Sequence, residues 1–211
     1  MIFKKILKNF FYSLGFKVSR LDKKYLYMRK MFRRIAKLDG DIVECGVGKM
    51  HTFRMLAELL AEENSTRILW GFDSFEGFPQ PSLEDASQRN AQKGELKFIN
   101  SEDVTKFLLI LGFSMPFIDS HIKIVKGFFQ DTLPNNIVSK IAFLHLDVDL
   151  YDSYKTCLKH LFPKVVKGGV VLFDEYNDPK WPGATKAINE YLNDKYKILK
   201  DNLTGKYYII K

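Results

Sequence analysis

Beyond residue 40 the chain alternates between two apolar rhythms. Short, nearly continuous apolar runs mark strands buried on both faces. Longer stretches with apolar residues every three or four positions mark helices. Asp41–Cys45 reads as a first strand, ending in Gly46-Val47-Gly48. Residues 52–63 follow as a helix whose apolar stripe is Met55, Leu56, Leu59 and Leu60. Residues 67–72 form a second strand that stops at Asp73, and residues 121–125 a third. Ile141–Leu146 is the fourth, and residues 170–173, entered through Gly168-Gly169, are the fifth. Further helices are expected over residues 104–111, 153–162 and 184–192. The tail reads as a hairpin of residues 196–200 and 206–210 around Asp201-Asn202-Leu203-Thr204-Gly205. This alternation predicts an α/β fold: a Rossmann-like, doubly wound, mostly parallel seven-stranded sheet with a terminal antiparallel hairpin. Residues 74–100, polar and rich in Pro, Gly, Gln and Asn, form a connection of the length that often serves as a lid.

Acidic residues stand where the fourth and fifth apolar runs end. The fourth is followed by Asp147-Val148-Asp149 and the fifth by Asp174-Glu175. If the two strands are neighbours, these carboxylates converge at the carboxyl edge of one sheet, where open α/β sheets bind ligands. Crowded carboxylates repel, and a divalent cation is their natural neutraliser. The competing structural role is local: Asp149 or Asp152 capping the following helix, and Asp174 accepting backbone N–H groups in a turn.

The first strand's glycine turn points to a cofactor. Glycines after a strand let the backbone approach a ligand closely. Asp73, ending the next strand, suits ribose hydroxyls, and Gly127 and Phe128 after the third strand could flank an adenine ring. A dinucleotide fingerprint needs a third glycine, and Gly46-Val47-Gly48-Lys49-Met50-His51 lacks it. That favours a ligand without a pyrophosphate, such as S-adenosylmethionine, over NAD. Among the histidines, His145 reads as a core residue of the fourth strand, and His51 as a helix cap or a residue facing the cofactor.

With 211 residues, 46% of them hydrophobic, the chain has material for one full core. Cys45 and Cys157 make no disulfide framework and no zinc motif, which suits a reduced cytoplasmic protein. The net charge of +8 is uneven: residues 1–34 hold eleven Lys/Arg and one Asp, so the rest of the chain sums to −2. A basic arm of that kind, rather than a basic body, argues against nucleic acid as a partner. In the arm, Ile2, Phe3, Ile6, Leu7, Phe10, Phe11 and Leu14 recur at helical spacing, with Lys4, Lys5 and Lys8 off the stripe. The arm is too short and too charged to span a bilayer and reads as no signal peptide. Two roles fit it: an in-plane helix on the anionic inner face of a membrane, or a helix packed on the body or on a second subunit of a homo-oligomer. Tyr25 and Tyr27 are the arm residues that could reach a cofactor. The division expected is a helical arm, 1–34, and one catalytic domain, 35–211, with its lid at 74–100.

Five blocks occur in a fixed order: Gly-Asp-Ile-Val-Glu-Cys-Gly-Val (40–47), Gly-Phe-Asp-Ser-Phe-Glu-Gly-Phe-Pro (71–79), Lys-Gly-Phe-Phe-Gln-Asp-Thr-Leu-Pro (126–134), Leu-Asp-Val-Asp-Leu-Tyr (146–151) and Trp-Pro-Gly-Ala-Thr-Lys-Ala (181–187). Together they resemble the macrocin O-methyltransferase family of sugar methyltransferases, over roughly residues 40 to 192. The strand order and terminal hairpin are likewise similar to class I methyltransferases. The resemblance implies S-adenosylmethionine and Mg²⁺ as cofactors and a sugar or glycoside hydroxyl as acceptor. It implies that Glu44, Cys45 and Gly46 line the methionine end of the cofactor, that Asp73 holds the ribose, and that Ser74 and Phe75 lie beside the adenosine. Asp147, Asp174 and Glu175 take the metal positions, with Asp149, or Asp147 if it leaves the metal, as base. This chain departs from the family at Met50, where glycine is usual, at Gly48, where a bulky residue is usual, and at Asp174-Glu175, where Asp-Asp is common. Two alternatives stay open: a catechol-like phenol or an amine as acceptor, and a scaffold of the same fold that has lost catalysis and docks on a membrane or partner.

Overall fold

The computed structural model describes residues 22–211. The amphipathic stripe at Ile2–Leu14 lies outside the described residues; the arm is described from Asp22 onwards. That described part forms α1 (Lys23–Ile35), begun by Asp22, whose carboxylate accepts a hydrogen bond from Lys24 N at 2.8 Å. Tyr25, Met28, Phe32 and Ile35, spaced by three or four, are buried against the sheet. Arg67 closes the helix's far end by donating to the carbonyls of Ile35 (2.9 Å), Leu38 (2.7 Å) and Gly40.

After α1 come β1 (Asp41–Cys45), α2 (His51–Glu63) and β2 (Leu69–Asp73). Then follow α3 (Ser101–Ile110), α4 (Met115–His121), β3 (Ile122–Lys126) and the short α5 (Phe129–Thr132). The chain ends with β4 (Ile141–Leu146), α6 (Tyr151–Leu161), β5 (Val165–Phe173), α7 (Pro182–Leu192), β6 (Leu199–Lys200) and β7 (Tyr207–Ile210). The seven strands form one sheet in the order β3-β2-β1-β4-β5-β7-β6. Strands β1 to β5 are parallel, and β7 is antiparallel to both β5 and β6. This is the expected doubly wound sheet with its closing hairpin. β5 is longer than expected, because residues 165–169 extend it before the fully apolar run begins. α4 was not anticipated: its segment is short and contains Pro116. Pro116 sits in the helix's first turn, where its missing N–H costs nothing, and Ser114 caps the start.

The pleat sorts the strand residues into two layers. Ile42 and Phe143 join one apolar cluster with α1, α2 and α3. Val43, Cys45 and Leu144 join the other, under α6 and α7. Each fully buried Phe or Leu contributes roughly 1.5–3 kcal/mol by its burial. That rigid centre leaves the strand ends β1, β2 and β4 as fixed mounting points. The order reverses between β1 and β4, and the crevice outside that point is where such sheets bind ligands. Among the described residues, no helix is long and apolar enough to cross a membrane.

Candidate active site

At the reversal point the backbone is packed too tightly for any side chain. Gly46 has φ 88, and a Cβ on it would lie 1.8 Å from the carbonyl oxygen of Asp147. Gly46 N donates to Phe72 O at 2.9 Å and Asp147 N to Cys45 O at 3.0 Å, which ties the ends of β1, β2 and β4 together. Asp73 organises the two loops beside it, accepting from Gly48 N (2.9 Å) and Phe75 N (2.7 Å). Met50 holds the left-handed conformation (φ 65). Its side chain is fully buried, so packing holds a backbone geometry that L residues disfavour.

A cleft of about 400 Å³ opens over these strand ends, within the range of small-molecule sites. Its walls include Glu44 from β1 and Gly46 just after it, Asp73 at the end of β2 and Ser74 after it, Phe128 after β3, and Asp147 and Asp149 after β4. Three of the expected cofactor residues stand off its lining. Cys45 is buried in the opposite layer, against Cys157. Phe75, with φ 55, packs into the apolar cluster under the lid. Gly127 (φ 140) turns the chain so that Phe128, its neighbour, reaches the cleft. Tyr25 and Tyr27 also point elsewhere, into the core, Tyr25 donating to Glu62 Oε1 at 3.1 Å. Among the described arm residues, the one that enters the cleft is Lys24, next to Tyr25.

The carboxylates of β4 and β5 do converge, and they bring a histidine with them. Ligand atoms of His145, Asp147 and Asp174 all lie within 4.8 Å of one another. His145 Nδ1 is 2.8 Å from Glu44 Oε1, and Nε2 is 3.7 Å from Asp174 Oδ1. Glu175, 3% exposed, accepts from Tyr154 OH at 2.6 Å and from Asp149 N at 3.3 Å. Two lysines from opposite ends of the described chain also reach Asp174: Lys24 Nζ at 3.2 Å from Oδ1, and Lys206 Nζ at 2.7 Å from Oδ2. The competing local role of Asp174, accepting backbone N–H groups in a turn, gives way to charge pairing with Lys24 and Lys206.

These contacts divide the protons. Burial lifts the Glu44 carboxyl to about 7, against the pull of His145. Burial alone would lower His145, but the adjacent carboxylates of Asp174 and Glu44 raise it to about 9. Burial also raises Asp147, Asp149 and Glu175, and each is raised further by the charges of its acidic neighbours. Asp174 goes the other way: burial opposes its charge, but His145, Lys24 and Lys206 hold it well below the usual carboxylate range.

The 74–100 segment is folded back on itself rather than open. Phe78 N donates to Glu95 O (2.8 Å), Gly94 N donates to Phe78 O (3.0 Å), and Arg89 pairs with Glu95 at 2.7 Å. Asp85, in a single 3-10 turn at Leu83–Asp85, caps α6 by accepting from Tyr151 N at 2.8 Å. The lid, and not Asp149 or Asp152, thus supplies the helix cap. Gly183 makes room for it, since a Cβ there would sit 2.1 Å from Asp85 Oδ1. Phe78 meets Trp181 edge to face at 5.6 Å, and the Arg89 guanidinium lies 5.2 Å from the Trp181 ring.

S-adenosylmethionine suits this cleft on two observations. Glu44 Oε2 is buried on the cleft wall with no hydrogen-bond partner among the described residues, an acceptor ready for an ammonium group. Gly46 leaves the backbone bare where a side chain would block approach. A divalent cation suits the hard oxygens of Asp147 and Asp174, which lie together with His145; Glu175, the third expected ligand, stands outside that group, its Oε2 bonded to Tyr154 and Asp149. Protons held on crowded carboxylates are what such a cation replaces. His145, Lys24, Lys206 and Asp85 escaped the sequence reading. Only His145 carried a signal: it stands two residues before Asp147, and a period of two puts both on one face.

A family model described as Macrocin-O-methyltransferase (TylF) matches residues 19–204. Demethyldecarbamoylnovobiocin O-methyltransferase of Streptomyces niveus is 29% identical over 157 residues, 72% of this chain and 58% of the relative. Mycinamicin III 3''-O-methyltransferase of Micromonospora griseorubida is 28% identical over 156 residues, 72% of this chain and 60% of the relative. The chain therefore spans about three-fifths of the length of these curated relatives. Among solved structures, the O-methyltransferase NovP superposes with a TM-score of 0.76 at 25% identity, covering 90% of this chain and 79% of that one. The calicheamicin methyltransferase CalS11 gives 0.79 at 27% identity, with 89% and 78% covered.

Proposed function

The chain belongs to the macrocin O-methyltransferase family, and from that premise we propose that it methylates a hydroxyl of a sugar or glycoconjugate, using S-adenosylmethionine and a divalent cation, Mg²⁺ by preference. The observation that carries this reading is the double role of Asp147. It lines the cofactor cleft and belongs to the acid cluster, so methyl donor and acceptor-binding acids meet at one residue. The named activities of the novobiocin and mycinamicin relatives support the same class of acceptor.

When bound, S-adenosylmethionine supplies an electrophilic methyl group. When bound, the cation supplies charge that orients vicinal hydroxyls and lowers their pKa. The chain's own residues do the rest. Glu44 receives the cofactor's ammonium on its free oxygen, and Asp73 presents its carboxylate to the ribose. Asp147, Asp174 and Glu175 hold the cation. Asp149 stands on the cleft wall in the left-handed conformation (φ 58), next to that cluster, and takes the acceptor's proton. Burial raises its basicity towards the range in which a general base works at neutral pH. The Phe78–Trp181 pair offers an apolar wall for a sugar ring.

Calorimetric titration of S-adenosylmethionine into the protein with Mg²⁺ present, followed by a methyl-transfer screen of sugar nucleotides and glycosides, tests the reading. Micromolar binding and transfer to a sugar hydroxyl are expected. Absence of binding would overturn it. Transfer to catechols alone would move the acceptor to the phenolic class.

A further inference from the structure

The acidic floor of the cleft already contains a cation that is part of the chain. Lys24 Nζ lies 3.2 Å from Asp174 Oδ1 and 3.9 Å from Asp147 Oδ2, with its side chain 24% exposed. These are two of the three carboxylates assigned to the divalent cation. An ammonium and a divalent ion do not share so small and half-buried a space, because their repulsion there is weakly screened.

Lys206 is placed differently. Its Nζ bonds both Asp174 Oδ2 and the Asp174 carbonyl oxygen, each at 2.7 Å. It clamps the outer carboxylate oxygen to its own backbone and leaves Oδ1 on the side of Lys24 and His145. Lys24 has only side-chain partners in the cluster, and its stem lies along the cleft wall. The flexible four-carbon stem lets the ammonium swing away while Tyr25 and Met28 keep α1 anchored.

We propose that Lys24 is a tethered counter-ion: it holds the cation position of the acid cluster, is displaced when a divalent cation binds, and so sets the metal affinity of the site. The proposal rests on the reading of Asp147, Asp174 and Glu175 as cation ligands. It assigns Lys24 a positioning role and Lys206 a structural one, so removal of the two charges has opposite consequences. Without Lys24, Asp147 and Asp174 lose a competitor and bind metal more tightly. Without Lys206, Asp174 loses its clamp.

Mn²⁺ binding to metal-stripped protein, followed through the electron paramagnetic resonance signal of free Mn²⁺, reads this directly. Lys24→Met is expected to bind Mn²⁺ at least tenfold more tightly than wild type. Lys24→Arg should stay near wild type, and Lys206→Met should bind no more tightly than wild type. Unchanged or weaker binding by Lys24→Met overturns the proposal, as does tighter binding by both Met variants. Titration of S-adenosylhomocysteine into the same samples separates the two levels. If wild type binds it while Lys24→Met gains nothing for Mn²⁺, only the Lys24 proposal falls. If wild type does not bind it, the functional reading falls as well.

Discussion

Glu44 Oε1 and His145 Nδ1 lie 2.8 Å apart, on residues that face each other in register across β1 and β4. Each side chain is 1% exposed. The pair is a polar bridge through the centre of the sheet, and it links the cofactor wall to the acid cluster. Removing one partner strands the other. His145→Leu should destabilise the protein by about 3–5 kcal/mol, the usual cost of an orphaned buried charge. Glu44→Gln combined with His145→Leu should recover part of that loss. Urea denaturation of the single and double variants measures the coupling, and a loss within error of zero for His145→Leu would show that the pair carries no charge.

The same carboxyl predicts a pH effect on ligand binding. Burial raises Glu44 to about 7, so below that pH it is protonated and offers no charge to an ammonium. Affinity for S-adenosylhomocysteine should therefore rise as pH increases through about 7. Glu44→Gln should bind more weakly and with a flatter pH profile. Calorimetry from pH 6 to 8 checks it; a flat wild-type profile would remove Glu44 from the binding site.

Asp149→Asn should lower the rate about 100-fold, the lower end of what a general base contributes. Asn tolerates the left-handed backbone that Asp149 adopts, so the fold should survive. Affinity for S-adenosylhomocysteine should be unchanged. Full activity in this variant would pass the base role to Asp147.

Gly46→Ala should cost about 2–3 kcal/mol of stability and abolish cofactor binding. The added Cβ meets a backbone carbonyl rather than a flexible side chain, and the backbone has φ 88. Thermal melting with and without S-adenosylhomocysteine reads both effects, and a variant still stabilised by the ligand would show that the cofactor does not approach the backbone at Gly46.

Asp201 ties the terminal hairpin to α1. It accepts from Leu203 N, Thr204 N and Thr204 Oγ1 on one oxygen, and Lys30 Nζ lies 2.7 Å from the other. Burial opposes its charge, but the bonds from Lys30 and Thr204 win and lower its pKa. A depressed acid stabilises the fold above its unfolded value, about 3.9, and that stability is lost as pH falls through the lower folded value. The stability difference between wild type and Asp201→Asn should therefore shrink on acidification below about pH 4. Urea midpoints at pH 7 and pH 3 test it; a difference that stays constant would show that the charge of Asp201 is unimportant.

Much of this architecture was legible in the order of residues. Asp41–Cys45 and Ile141–Leu146 have the bounds that their apolar runs suggest, because a strand buried on both faces leaves an uninterrupted signature. The acids after β4 and β5 were readable for the same reason: a carboxylate closing such a run must sit at a sheet edge. Cys45 was misjudged as a cleft residue because adjacent strand residues point to opposite layers, and Glu44 had already taken the cleft side. Asp85 was hidden in the polar lid, where no periodicity reveals which side chain turns inwards.

The sequence by itself determined the elements, the parallel sheet and the acidic strand ends, since these follow from periodicity and from where apolar runs stop. Only the tertiary structure decided which charges meet. Lys24, Glu44, His145, Asp174 and Lys206 come from five separate elements or loops, and their pairing depends on strand order, register and the docking of α1. Periodicity says which face a side chain takes, but it does not say what stands opposite. Coulomb interactions act through space, so the electrostatics of the site came into being only when the chain closed around it.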